Sequence, residues 1–226
     1  MTLAEKLEAF RAKFEAGGPP YNAPDWVHEL MHRATDELIA SAAAERALKA
    51  GDRAPQFTLK DADGNEVSSR DFLAKGPLVV TFYRGVWCPY CNMDLQALQE
   101  ALPAVRERGA QLVAISPQTQ SNSRKSQRDN KVTFPILSDP GNEVAARFGL
   151  RFALPDYLIE LYRDTFKNDL SRINGDSSWT LPMPARYVIG TDGVIAYAEV
   201  NPDYTQRPDP EELLPVVSAM KNPLAA

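Results

Sequence analysis

The sequence predicts an α/β protein in which a mixed sheet is flanked by helices and preceded by a helical N-terminal extension. Three observations carry this. Short apolar runs, "PLVVTFY" and "AQLVAIS", alternate with segments of helical periodicity, the pattern of a sheet with helices packed on its faces. "RYVIGTDGVIAYAEV" sets two β-branched and aromatic runs around a tight turn, so at least one strand pair is antiparallel. No strand pattern occurs before residue 55.

The extension comes first. Residues 2–16 place Leu3, Leu7, Phe10 and Phe14 at helical spacing, and "GGPPYNAP" interrupts the chain. Residues 25–49 predict one long alanine-rich helix. Val27, Leu30, Met31, Ala34, Leu38 and Ile39 lie on or near one stripe, with Asp25 as cap and Gly51 as stop. We therefore divide the chain into a helical extension, 1–50, and a main domain, 51–226.

Within the main domain, "PQFTLKDADGNEV" predicts a hairpin turning at Asp63-Gly64. Residues 77–83 form a continuous apolar run, as a buried central strand does. Residues 88–108 predict a helix with Leu95, Leu98 and Leu102 on one side and a kink at Pro103. A second buried strand follows at 110–116, then a polar surface helix in "SNSRKSQRDN" and a third strand at 134–139. "GNEVAARFG" predicts a short helix closed by Gly149, and residues 155–170 a further helix. The hairpin at 186–200 turns at Thr191-Asp192-Gly193. The chain closes on a helix at 209–220, with Asp209 as cap, Pro210 first in the helix and Glu212 completing a capping box.

Composition narrows the function. A chain of 226 residues with 44% hydrophobic content builds one core plus an appendage. The net charge is −5 and no basic face is evident, which argues against nucleic acid or an anionic membrane as partner. No run of about 18 apolar residues exists, so no transmembrane helix is expected. "MTLAEKLEAFRAKFEAGG" carries charges every few residues, unlike a secretory leader. A cytoplasmic location is expected, where a lone Cys-x-x-Cys is catalytic or metal-binding rather than structural.

That pair is Cys88 and Cys91 of "FYRGVWCPYCNMDL", the only cysteines in the chain. Cys88 follows a buried strand and opens a helix, whose free N–H groups and dipole favour a thiolate and should leave it exposed and of low pKa. Arg84 adds positive charge nearby. Cys91 lies one turn further on the same face, so one thiolate attacks and the other resolves the intermediate. A zinc knuckle needs four ligands, and there is no second Cys-x-x-Cys. "HELMH" matches the His-Glu-x-x-His zinc pattern, but His28 and His32 are the only histidines. We read it as a solvated helix face with Leu30 and Met31 inward.

"WCPYC" resembles the active site of the thioredoxin superfamily. "GDRAPQFTLKDADGNEV", "VVTFYRGVWCPYC", "FPILSDPGNEVAARFG" and "YVIGTDGVIAY", in that order, resemble the alkyl hydroperoxide reductase/thiol-specific antioxidant family, the peroxiredoxins, in a subgroup carrying a Cys-x-x-Cys. The resemblance spans roughly residues 51–220 and implies a thioredoxin-like fold. It implies a thiol-dependent peroxidase whose dithiol cycles to an intramolecular disulfide. The alternatives are a disulfide oxidoreductase and a non-enzymatic redox sensor. Laid on the family pattern, the proline, threonine and peroxidatic cysteine positions fall on Arg84, Cys88 and Cys91. The peroxidatic position is thus Cys91, whereas helix-terminus physics favours Cys88 as nucleophile. The family's hairpin arginine aligns with Pro184, with Arg186 two residues on. Met183-Pro184 resembles the cis-proline loop that faces a thioredoxin dithiol.

The implied substrate-binding set is Arg84, Trp87, Pro89, Tyr90, Met183, Pro184 and Arg186. No cofactor or metal is implied. The expected partners are a hydroperoxide or disulfide substrate and thioredoxin or glutathione as reductant, with a homodimer a further expectation. Residues 1–50 carry no cysteine and no family motif, and are expected to be dispensable for the dithiol chemistry while covering an apolar face.

Overall fold

In the computed structural model, which describes residues 1–19 and 21–220, the extension forms helices α1 (Leu3–Glu15) and α2 (Asp25–Ala40). A capping box starts α1: Thr2 Oγ1 accepts the Glu5 N–H at 3.2 Å, and the Glu5 carboxylate accepts the Thr2 N–H at 2.8 Å. Asp25 is the first residue of α2, and Pro24 is the capping residue. The helix stops at Ala40, well short of residue 49. Ala42 turns left-handed (φ 53), and one tight turn at Ala43–Arg46 follows. Ala43 and Ala47 are thereby buried in the main core, so packing overrides the helix propensity of an alanine-rich stretch.

The main domain runs β1 (Thr58–Lys60), β2 (Glu66–Ser68), α3 (Ser69–Leu73), β3 (Leu78–Phe82), α4 (Pro89–Glu107), β4 (Gln111–Ser116), α5 (Gln120–Asn130), β5 (Ile136–Ser138), α6 (Glu143–Arg147), β6 (Arg151–Ala153), α7 (Asp156–Glu160), α8 (Leu170–Asn174), β7 (Thr180–Pro182), β8 (Ala185–Ile189), β9 (Ile195–Val200) and α9 (Leu213–Ala219). Seven strands form one mixed sheet in the order β2-β1-β5-β4-β3-β8-β9. β3 lies in its interior, parallel to β4 and antiparallel to β8, and all five of its residues are buried, as its unbroken apolar run requires. Both predicted hairpins form, β1 with β2 and β8 with β9. Helix α4 runs on through Pro103.

Three apolar clusters hold the layers together. One face of the sheet presents Val79, Leu112 and Val188 to Leu95, Leu98 and Leu102 of α4, Leu213 and Val217 of α9, and Leu3 and Leu7 of α1. The other face gathers Leu78, Val80, Phe82, Val113, Phe148 and Tyr187. The third joins Val27 of α2 to Leu158, Leu161 and Tyr162, with Leu30, Met31 and Ala34 packed against it, so most of the α2 stripe covers an apolar face.

Four other features depart from the sequence reading. The 155–170 helix is broken: after α7 the chain widens into a π turn at Leu161–Thr165, and Lys167 (φ 56) ends it before α8. Strands β6 and β7 pair with each other as a separate two-stranded sheet; at three residues each they are too short to show a period. The α5 helix is not merely a surface element, because Ser123 and Ser126 are fully buried, Ser123 against Ser138 of β5. Asp209 makes no side-chain cap of its own helix; its carboxylate accepts the Leu3 N–H of α1 at 2.6 Å, tying the two ends of the chain together.

Candidate active site

The site begins where β3 ends. Tyr83 is buried beneath the sheet edge, and Gln118, just beyond β4, donates to its hydroxyl at 2.7 Å. The Gln118 carbonyl oxygen accepts the Val86 N–H at 2.8 Å, and Asn92 of α4 donates to the Val86 carbonyl at 2.9 Å. The loop of residues 84–88 is therefore pinned from both neighbouring elements. Gly85 (φ +150) lets it double back on Trp87: a Cβ there would stand 2.6 Å from the indole Nε1. The loop delivers Cys88 as the N-cap of α4, with Pro89 as first helical residue and Cys91 in the first turn.

Both thiols are free, and the Cys91 thiol donates to the Cys88 sulfur across 2.8 Å. Burial pushes the Cys88 thiol up. The hydrogen bond from Cys91, the charge of Arg84, the Cys91 backbone N–H and the charge of Arg207 outweigh burial and bring it from 9.0 down to about 6. Burial also raises Cys91, and the hydrogen bond to Cys88 and the Cys88 charge raise it further, against Arg207 and Arg84. The pair thus divides into a thiolate at Cys88 and a proton-bearing thiol at Cys91. Iodoacetamide alkylation of Cys88 is accordingly expected to speed up as pH rises, with a midpoint near 6. A midpoint at about 8.5, the value of free cysteine, would remove the assigned nucleophile.

Under Cys91 lies a buried ionic cluster. Arg207, from the segment after β9, places Nη2 3.8 Å from the Cys91 sulfur and Nε 3.7 Å from Asp94. Arg186 of β8 donates to the other Asp94 oxygen at 2.5 Å and to the Pro208 carbonyl at 3.1 Å. Asp94 sits one turn beyond Cys91 on α4, so the cluster fixes that turn against the sheet. Arg186 is a strut behind Cys91 and does not line the substrate side, contrary to the sequence expectation. The cation that touches the inner sulfur is Arg207, which the sequence reading did not single out.

Cys88 is 1% exposed, so the expectation of an exposed nucleophile fails. It lines a cleft of about 230 Å³ with Arg84, Trp87, Pro89 and Tyr90 from its own segment and with Tyr162, Phe166, Asn168 and Tyr204. The remaining wall is the extension: Phe10, Phe14, Tyr21 and Met31. Phe10 meets Tyr90 edge to face at 5.0 Å, and Tyr90 meets Tyr204 at 5.6 Å. The π turn brings the Tyr162 hydroxyl onto Arg84, whose guanidinium also lies 4.8 Å from the Trp87 ring and 4.1 Å from the Tyr204 ring. Met183 and Pro184 do not line this cleft. Met183 packs in the core on the opposite face of the sheet, and Pro184 lines a neighbouring cavity that shares Arg84, Tyr162 and Tyr204 with it.

The extension is therefore part of the site's wall as well as the cover of an apolar face. A chain beginning at Leu48 is expected to lose roughly 4 kcal/mol or more of stability, since Leu3, Leu7 and Val27 each contribute about 1.5–3 kcal/mol by burial. Cys88 should be alkylated faster in it. Unchanged urea unfolding and an unchanged alkylation rate would contradict this assignment. The His28/His32 pattern is spent locally: His28 Nε2 contacts the Ala23 carbonyl at 3.2 Å and is buried, not solvated, and His32 Nε2 contacts Glu15 at 2.8 Å. Among the described residues no group of three potential metal ligands occurs, and no helix is long and apolar enough to cross a membrane.

Comparison with known proteins gives the same picture. A putative chloroplastic peroxiredoxin Q of Oryza sativa subsp. indica is 29% identical over 147 residues, covering 65% of this chain and 57% of that protein. A putative peroxiredoxin of Mycobacterium tuberculosis is 36% identical over 102 residues, covering 45% and 64%. The chain thus spans about three fifths of the length of these curated relatives. The crystal structure of the peroxidoxin BcpB from M. tuberculosis superposes with a TM-score of 0.61 at 22% identity, over 77% of this chain and 99% of that one, and the shared fold is thioredoxin-like. Residues 50–198 match the AhpC/TSA family, a stretch that runs from the end of the extension to the last strand and takes in the whole dithiol turn; the chain belongs to that family.

Proposed function

We propose that the protein is a thiol-dependent peroxidase in which Cys88 attacks and Cys91 resolves. The Cys88 thiolate attacks the distal hydroperoxide oxygen; the O–O bond breaks, a sulfenic acid forms, and the departing alkoxide or hydroxide takes one proton to leave as an alcohol or water. The Cys91 thiol then condenses with it, closing the Cys88–Cys91 disulfide and releasing water. An external dithiol or two small thiols take up the oxidising equivalents and restore both sulfurs. The observation that carries this reading is the sulfur pair 2.8 Å apart with its outer member held near pH 6 at the floor of an aromatic cleft.

The burial of Cys88 favours a small substrate. A hydroperoxide fits a cleft of about 230 Å³, whereas a protein disulfide needs Phe10, Tyr90 and Trp87 moved aside. This weighs against the disulfide-oxidoreductase reading that "WCPYC" alone supports. The same access limit favours a small thiol such as glutathione over thioredoxin as reductant, in a reducing compartment such as the cytoplasm. The test is steady-state consumption of hydrogen peroxide and an organic hydroperoxide with glutathione or a thioredoxin system supplied in turn. Turnover with glutathione is expected; absence of turnover with both reductants would remove the reading.

A further inference from the structure

Arg84 is a buried cation without an acid. It is 3% exposed, and among the described residues it makes no salt bridge to a carboxylate; Tyr162, Tyr204 and Trp87 surround its guanidinium. Nη2 donates to the Tyr162 hydroxyl, while Nε and Nη1 have no partner. Arginine does not shed its proton, so the charge persists. Aromatic faces offset part of its desolvation but leave two of its three nitrogens without a hydrogen-bond acceptor. In the reduced protein the Cys88 thiolate offsets part of this charge.

Arg84 also lines a second cavity, of about 500 Å³, which shares Met31, Tyr162 and Tyr204 with the Cys88 cleft. This is within the size range of small-molecule sites. Its walls include Met31, Leu38, Phe152, Leu154, Leu158 and Pro184. The other charged groups at its rim are engaged. Arg151 pairs with Glu143, Glu37 bonds Arg33 and Tyr157, and Arg46 donates to the Ser41 carbonyl. What remains is a largely apolar cavity with one buried, unsatisfied guanidinium, the complement of a molecule with an acidic head and an apolar body.

We propose that this cavity binds an amphipathic organic carboxylate, its head on Arg84 and its body along Met31, Leu38, Phe152 and Leu158, and that it binds more tightly once Cys88 is no longer a thiolate. When the Cys88 thiolate and the Cys91 thiol give two electrons and one proton to a hydroperoxide, with a second proton from solvent, yielding alcohol and water, the anion beside Arg84 disappears and the guanidinium is left to the ligand. By linkage, the ligand favours the disulfide form to the same degree. Binding itself is independent of whether hydroperoxides are the physiological oxidant.

Decanoate and decanol serve as probes, titrated calorimetrically into the full-length protein, reduced and after oxidation by one equivalent of hydrogen peroxide. One decanoate per chain is expected, bound about tenfold to a hundredfold more tightly than decanol, the range a charge-assisted hydrogen-bond pair contributes. The oxidised form should bind more tightly than the reduced. Arg84→Met should bring decanoate down to the decanol level, and Leu38→Trp, which fills the chamber, should weaken both. Equal affinity for acid and alcohol, no decanoate heat with either redox form, or full affinity in both variants would overturn the site. Equal decanoate affinity in the two redox forms would overturn its link to Cys88.

Discussion

Cys88→Ser is expected to abolish hydroperoxide consumption, whereas Cys91→Ser retains one rapid turnover and then stalls. The asymmetry follows from the environments of the two sulfurs. Cys88 caps α4 beside Arg84, opens on the cleft and ionises near pH 6. Cys91 is fully buried, is pushed upward by burial and by its neighbour, and is absent from the cleft wall. In Cys91→Ser a hydroxyl still donates toward Cys88, so the thiolate survives and its sulfenic acid accumulates for want of a resolving thiol. A sulfenic-acid trap added with one equivalent of peroxide should label Cys91→Ser and leave Cys88→Ser unlabelled. The reverse labelling would assign peroxide attack to Cys91, the position that the peroxiredoxin pattern gives.

Asp94→Ala is expected to cost about 3–5 kcal/mol of stability, the range found when one member of a buried charge cluster is removed. Asp94 is the carboxylate between Arg186 and Arg207, and all three side chains are almost fully enclosed. Without it two guanidiniums face each other in the interior. Glu199 lies in the same cluster, with its carboxyl raised by burial more than the two arginines lower it, and is a poor substitute anion. Urea unfolding checks the magnitude. Asp94→Asn, which keeps the shape, should lose a comparable amount if charge is the cause. A loss below about 1 kcal/mol, the size of an exposed pair, would show that water or rearrangement compensates.

The parts of this site written in local sequence were legible. Cys88 and Cys91 stand between an apolar run and a helical period, and that placement predicts a strand end feeding a helix N-terminus. The hairpins announced themselves at Asp63-Gly64 and Asp192-Gly193. What escaped the reading acts over long chain separations. Arg207 reaches a sulfur 116 residues away, and Tyr162 reaches an arginine 78 residues away. Neither has a spacing that marks it. Phe10 and Phe14 showed a helical face but not what it covers. Met183 failed for a different reason: strand residues alternate between faces, and Met183, Ala185 and Tyr187 fall on the side of the sheet away from α4, while Arg186 and Val188 face it. Asp209 has the look of a cap, and is one, but for the opposite end of the chain.

The central claim is that Cys88 and Cys91 form a dithiol that takes two electrons' worth of oxidant from a hydroperoxide. The most direct measurement treats the reduced protein with one equivalent of cumene hydroperoxide, blocks free thiols, and weighs the tryptic peptide of residues 85–106, which contains both cysteines. One alcohol formed per chain and a peptide two hydrogens lighter, unblocked until a reductant is added, are expected. A peptide carrying two blocking groups beside unconsumed peroxide, or cysteines linked only between chains, would contradict it.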